Sequence, residues 1–302
     1  MEKIKVIVIV GPTASGKSDL AVKIAKQVDG EIISADSRQV YKGMNIGTGK
    51  ITKKEMSGIK HYLLDVADPK KTFTVIDFVR LAEGAITEII NKDKTPIVVG
   101  GTGFYIQALI DGLILPDVPP NNNLRNRLKN KTLEELLLVL EKLDKDRFSN
   151  IDKQNPRRII RAIEIATALG KVPKLKNKTK YEPVFIGIKV EPDLLKEKIH
   201  KRLLTRMKMG MLREVSKLHK QGLTWKKMEE FGLEYRYVAR FLQNKITRQE
   251  MLKQLEKEIV RYAKRQMTWF GKDKRIKWLE SGPTRTRTWN LGFGDRCFTI
   301  KL

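Results

Sequence analysis

The spacing of apolar and polar positions changes character along the chain. Lys5–Val10 reads as a continuous β-branched strand, too short for a helix. Ser18–Val28 follows with Leu20, Ala21, Ile24, Ala25 and Val28 at helical spacing, and Glu31–Ala35 is a second short apolar strand. Phe78–Ile90 has a helical period again, and Pro96–Val99 is a third buried strand running into Gly100-Gly101. Short apolar strands between amphipathic helices predict a parallel sheet covered by helices on both faces.

At Leu115-Pro116-Asp117-Val118-Pro119-Pro120 the pattern gives way to a stiff connection, and helical spacing alone follows. Thr132–Leu143 opens with a capping box (Thr132 with Glu135), and Arg157–Leu169 stops at Gly170. Lys171–Lys180 is basic and poor in apolar residues, which suits a solvated linker or a nucleic-acid contact. Val184–Val190 then returns to strand character. The expected organisation is a sheet domain, 1–115 and 181–280, interrupted by an all-helical insertion at 116–180. Within the later part, Pro192–Gln221, a segment around Tyr235–Leu242, and Thr247–Phe270 are expected helices, the last with a capping box of Thr247 and Glu250. Residues 281–302 carry no period and are rich in Thr, Arg and Gly, so an irregular, disordered tail is expected there.

Composition adds a partner. The net charge is +26, but residues 1–112 carry 16 Lys and Arg against 13 Asp and Glu, while the remaining 190 carry 45 against 22. An excess confined to the later part points to a polyanion such as nucleic acid, or more simply to a solvated basic surface. One cysteine and three scattered histidines exclude an internal disulfide and leave no convincing zinc constellation. No apolar run is long enough to span a bilayer, and the N-terminal apolar stretch lacks a cleavage site, so a soluble cytoplasmic protein is expected.

The strongest chemical signal is Gly11-Pro12-Thr13-Ala14-Ser15-Gly16-Lys17-Ser18, which matches G-x-x-x-x-G-K-[ST] between a strand and a helix. Its glycines let the backbone fold around an anion, the helix N-terminus adds its dipole, Lys17 adds a charge, and the Ser18 hydroxyl can ligate Mg²⁺. The fold class is therefore α/β, a P-loop NTPase-like parallel sheet with a helical insertion. Read alone, the loop suggests nucleotide or ATP binding, as in a small-molecule kinase. The same cradle can also stabilise a departing pyrophosphate while carbon is attacked.

Later motifs favour the second use. Asp36-Ser37-Arg38-Gln39-Val40-Tyr41, Gly43-Met44-Asn45-Ile46-Gly47-Thr48, His61-Tyr62-Leu63-Leu64-Asp65 and Gly100-Gly101-Thr102-Gly103-Phe104-Tyr105 follow the loop in order. With Pro156–Ala162, Gly210–Val215 and Arg261–Gln266, they closely resemble the tRNA dimethylallyltransferases (tRNA isopentenyltransferases) over about 5–280. The resemblance implies a P-loop core whose helical insertion closes over the tRNA anticodon arm. It implies transfer of a dimethylallyl group from dimethylallyl pyrophosphate to the exocyclic N6 amine of the adenosine 3′ of the anticodon, in tRNAs reading codons that begin with U. By motif, Asp36 becomes the general base, and Lys17, Ser18 with Mg²⁺, the loop amides and Arg202 stabilise the leaving pyrophosphate. Asp36, Ser37, Arg38, Gln39, Thr102, Arg125, Arg157, Arg158, Ile159, Ile160 and Arg161 are the implied tRNA contacts. The bacterial type is implied, because the zinc finger of the eukaryotic members has no counterpart here, and a monomer is expected. Gly232-Leu233-Glu234-Tyr235-Arg236 is a variant of a family block that ends in Gly-Tyr-Arg.

Rival readings are a prenyltransferase of free adenine nucleotides, a P-loop kinase, and a non-catalytic RNA-binding protein. Asp36 could also be an ordinary strand-end carboxylate, Asp65 a structural residue, and Gly100–Gly103 a simple tight turn.

Overall fold

The computed structural model describes residues 3–281, 288–293 and 296–301. The chain divides into two compact units, 1–112 with 179–302 and, separately, 113–178. The first unit opens with β1 (Ile4–Val10), α1 (Lys17–Gln27), β2 (Gly30–Ala35), α2 (Lys53–Met56), β3 (His61–Tyr62), α3 (Val75–Ile90), β4 (Thr95–Gly100) and α4 (Gly103–Ile110). The second unit holds β5 (Leu113–Ile114), α5 (Asn122–Leu128), α6 (Leu133–Leu143), α7 (Lys145–Ser149), α8 (Pro156–Leu169) and β6 (Lys176–Asn177). The chain then completes the first unit with β7 (Tyr181–Val190), α9 (Pro192–Met209), α10 (Met211–Lys220), α11 (Trp225–Phe231), α12 (Leu233–Leu242), α13 (Arg248–Phe270) and β8 (Lys277–Ser281). Last come β9 (Thr288–Phe293) and β10 (Arg296–Lys301).

The main sheet has strand order β3-β2-β4-β1-β7-β8, and every pairing in it is parallel. β1 lies between β4 and β7, and Val6 to Val10 are fully buried. Its side chains alternate between two cores. Val6, Val8 and Val10 meet Phe78 of α3, Ile106 of α4 and Phe270 of α13, while Ile7 and Ile9 meet Leu20 and Ile24 of α1. Each such side chain contributes about 1.5–3 kcal/mol through burial. Because the strands are parallel, the segments after β1, β2 and β4 all leave from one edge, where open α/β sheets hold ligands.

A third core is helical. Met211, Val215, Tyr235 and Leu255 pack around Val40, Tyr41 and Met44, so the helices after β7 hold down the segment that follows β2. In the second unit, Leu128, Leu136, Leu140, Ile159 and Ile163 form a separate small core. Among the described residues no helix is long and apolar enough to cross a membrane.

Several local expectations are corrected. Pro192–Gln221 is two helices, because Gly210 takes φ 102° and serves as the C-cap of α9 and the N-cap of α10. The helix expected around Tyr235–Leu242 is α12, and α11, which precedes it across Gly232 with φ 75°, was not foreseen. Gly103 is no mere turn residue but the first residue of α4. Lys176 and Asn177, in the expected linker, pair with Leu113 and Ile114. Within 281–302, residues 288–293 pair antiparallel with 296–301, and Ser281 ends β8, so these segments are not irregular. Residues 282–287, 294–295 and 302 of that expected tail lie outside the described residues.

Candidate active site at the phosphate loop

Sterics shape the loop between β1 and α1. Gly11 has φ 150°, and a Cβ there would stand 2.8 Å from the Ile188 carbonyl oxygen. Ala14 and Gly16 are also left-handed, at φ 63° and 89°. Gly16 caps α1 with no side-chain hydrogen bond, so the first-turn amides stay open to an anion. The Ser15 hydroxyl oxygen is buried without a hydrogen-bond partner among the described residues. An unpaired buried hydroxyl costs about 1–3 kcal/mol, a cost that an acceptor in the cradle relieves.

Two cations converge on this loop. Lys17 Nζ donates to the Pro12 carbonyl at 2.6 Å. Burial first and the neighbouring Arg202 second lower its pKa, the Asp36 carboxylate opposes both, and the net result is about 7. Arg202, from α9, donates to the Thr13 hydroxyl. Its pKa falls to about 10, first through burial and then through Arg206, against the pull of Glu234 and Asp36. Two half-buried cations disfavoured by their surroundings make an anion site.

Asp36 follows the last residue of β2. Its Oδ1 accepts from the amides of Arg38 (2.8 Å) and Gln39 (3.2 Å), which fixes the carboxylate and commits that oxygen. The Thr102 hydroxyl oxygen accepts from the Ser37 amide at 3.1 Å, tying the end of β2 to the turn after β4. Asp36, Gln39, Lys17, Ser18, Thr13 and Arg202 line one cleft, together with His61, Tyr262 and Gln266. Burial lowers the His61 pKa, against the hydrogen bond to the Ile59 carbonyl. Burial raises that of Tyr262, and Asp36 adds to the effect. A second groove reaches the loop past Ile46, Ile51 and Met209, sharing Lys17, Ser18, Gly49 and Arg202 with the first.

The other implied tRNA contacts divide by role. Arg38 turns away from the cleft: its Nε donates to the Phe231 carbonyl at 3.0 Å and its guanidinium lies 5.6 Å from the Phe231 ring centre. In the second unit Arg125 binds the buried Glu164 through two bonds of 2.7 and 2.8 Å, and Arg161 binds it at 3.2 Å. Arg157 and Arg158 are exposed at the start of α8. Ile159 is fully buried in the helical core and Ile160 packs against it, so a tRNA contact at Ile159 is left to its backbone. Its position one residue after two arginines hides that it faces inward at helical spacing with Ala162 and Ile163.

Gln266 is the residue whose role the sequence left unread. Its Oε1 accepts from the Thr13 amide at 2.8 Å and its Nε2 donates to the Gly101 carbonyl at 3.0 Å. It joins the phosphate loop to the turn after β4, and a Cβ on Gly101 would collide with its amide. The available signal was spacing: Tyr262 and Gln266 are four apart on α13, hence on one face.

A parallel sheet with a phosphate loop, two half-buried cations and a strand-end carboxylate in one cleft defines a P-loop-type α/β enzyme. Comparison with known proteins is more specific. The chain belongs to the IPP transferase family, whose model matches residues 39–273. It is 40% identical to tRNA dimethylallyltransferase 1 of Syntrophus aciditrophicus over 91% of this chain and 93% of that one. It is 42% identical to tRNA dimethylallyltransferase 2 of Treponema denticola over 87% and 90% respectively. The crystal structure of the tRNA isopentenylpyrophosphate transferase of Bacillus halodurans matches with a TM-score of 0.71 at 37% identity, covering 92% of this chain and 90% of that one. A eukaryotic dimethylallyltransferase acting on tRNA matches with a TM-score of 0.78 at 27% identity, covering 92% and 74%.

Proposed function

We propose that the chain transfers a dimethylallyl group from dimethylallyl pyrophosphate to the N6 amine of the adenosine 3′ of the anticodon in tRNA. The observation that carries the reading is the pairing of Lys17 and Arg202 on the phosphate loop with Asp36 across the same cleft. A P-loop kinase could use the same loop with a strand-end carboxylate for its Mg²⁺, so membership of the IPP transferase family weighs in favour of prenyl transfer. The relatives' names, as dimethylallyltransferases of tRNA, support the same reading.

The chemistry follows from these positions. The bond between the dimethylallyl carbon and the pyrophosphate oxygen breaks, and its electron pair leaves with pyrophosphate. Lys17, Arg202, the loop amides and the Ser15 hydroxyl receive that charge. The adenine nitrogen bonds to the carbon and loses a proton. Asp36 takes it on Oδ2, since Oδ1 is held by the Arg38 and Gln39 amides. Two grooves reaching one loop allow donor and base to approach from different sides.

The Ser18 hydroxyl lines the cleft and offers an oxygen donor of the kind that suits Mg²⁺. When bound there, the ion would neutralise pyrophosphate charge. The second unit is the tRNA-binding part: residues 113–178 carry 15 Lys and Arg against 8 Asp and Glu, with Arg157 and Arg158 exposed.

The decisive assay supplies unmodified tRNA, dimethylallyl pyrophosphate and Mg²⁺, then digests the tRNA and identifies nucleosides by mass spectrometry. Prenylated adenosine is expected. Transfer to free AMP alone, ATP turnover without tRNA, or tRNA binding with no product would each defeat the proposal.

A further inference from the structure

Glu214, in the first turn of α10, is bound entirely by uncharged donors. Its Oε2 accepts from the amides of Asn45 (3.0 Å) and Ile46 (2.6 Å). Its Oε1 accepts from the Gly47 amide (3.0 Å) and the Tyr235 hydroxyl (2.8 Å). A carboxylate that takes three successive backbone amides fixes the path of that segment, because each bond is charge-assisted and directional.

The same segment is gripped from a second direction. Arg206, bound to Glu234 at 2.9 Å, donates to the Gly47 carbonyl at 3.1 Å. Two glycines make room for these partners. A Cβ at Gly47 would stand 2.8 Å from the Tyr235 ring, and one at Gly49 would overlap the Arg206 guanidinium. The gripped loop also reaches the reacting groups. The Gly49 carbonyl accepts from Gln39 Nε2 at 3.4 Å, and the Gln39 amide donates to Asp36 Oδ1 at 3.2 Å. Gly49 lies on both grooves that open onto the phosphate loop.

We infer, resting on the function proposed above, that Glu214 is a positioning residue. Without touching substrate, it holds residues 45–49 so that Gln39 and Asp36 keep a set place opposite the phosphate loop. The carboxylate's acceptors perform this, not its volume. Glutamine has nearly the same shape but turns an N–H₂ group toward an amide N–H. A side chain that only filled space would tolerate it.

Three full-length variants, E214Q, E214A and Y235F, test this by amide hydrogen exchange over 45–49, affinity for inorganic pyrophosphate with Mg²⁺, and steady-state kinetics on tRNA. E214Q is expected to melt near the wild-type temperature, to exchange faster at 45–47, and to lose about 10–10²-fold in kcat. KM for donor and tRNA, and pyrophosphate affinity, should change by less than about threefold, because Lys17 and Arg202 are untouched. E214A should lose more and Y235F less. Wild-type exchange and kcat in E214Q would overturn the inference, as would a loss of activity in every variant that tracks its melting temperature alone. If the wild-type protein itself makes no prenylated tRNA, the functional reading fails. Exchange at 45–47 still decides whether Glu214 holds the loop.

Discussion

At the scale of single residues, the site separates anion holding from proton transfer. Asp36 has one oxygen committed to backbone amides and one available, so Asp36→Asn keeps the turn while removing the base. Turnover should fall by about 10²–10⁴-fold with tRNA affinity nearly intact, measured by nucleoside analysis and filter binding. Lys17 gives a pH signature. Burial and Arg202 bring its pKa to about 7, so above that pH it is largely neutral in the free protein. A pyrophosphate beside it favours the ammonium, so binding must draw in a proton above neutrality and none well below it. Calorimetry with inorganic pyrophosphate in buffers of differing ionisation enthalpy should show uptake growing between about pH 6 and about pH 8. Lys17→Arg, which stays charged, should lack that component. The residues of the loop itself were legible because their partners are local. Gln266 was not, since its meaning rests on a bond to Thr13 across 253 positions.

At the scale of elements, α8 shows how one helix serves two ends. Its first turn presents Arg157 and Arg158 outward, while Ile159, Ala162 and Ile163 bury into the second unit's core. Ile159→Ala should cost about 2–5 kcal/mol, seen as a lowered melting temperature. Arg157→Ala with Arg158→Ala should leave melting unchanged and weaken tRNA binding. The arginine cluster was readable as a feature, but three members of the expected contact set, Arg125, Arg161 and Ile159, are bound up in structure. Glu164, which takes both Arg125 and Arg161, is fully enclosed, a fact that composition cannot reveal. Helix breaks were similarly concealed: Gly210 reads as one glycine in a long amphipathic run until its φ of 102° is known. Strands β1, β2 and β4 were legible because they are continuous apolar runs buried on both faces. β8, with Lys277 and Glu280, shows no such run and depends on β7 for its pairing.

At the scale of the whole molecule, charge sets how the protein meets RNA. Of the net +26, residues 113–178 hold 15 basic against 8 acidic side chains and residues 179–302 hold 30 against 14. Raising salt from about 50 to about 200 mM should therefore weaken tRNA binding steeply, with a log–log slope that becomes shallower by about 2 when Arg157 and Arg158 are removed. Transfer to bound tRNA should be far less sensitive, because Lys17 and Arg202 act inside the protein. The parallel sheet was readable from spacing, and the interruption was expected at 116–180 where the second compact unit spans 113–178. The long-range bonds that make the two parts of the first unit one site were not.

The bond between Thr13 and Gln266 also sets an order of events during synthesis. The phosphate loop leaves the ribosome early, but its strand needs β7 as a neighbour and its Thr13 amide needs a partner near the end of α13. A nascent chain bearing the loop alone has the motif without the cradle. The complete anion cradle is thereby deferred until the chain has emerged through α13.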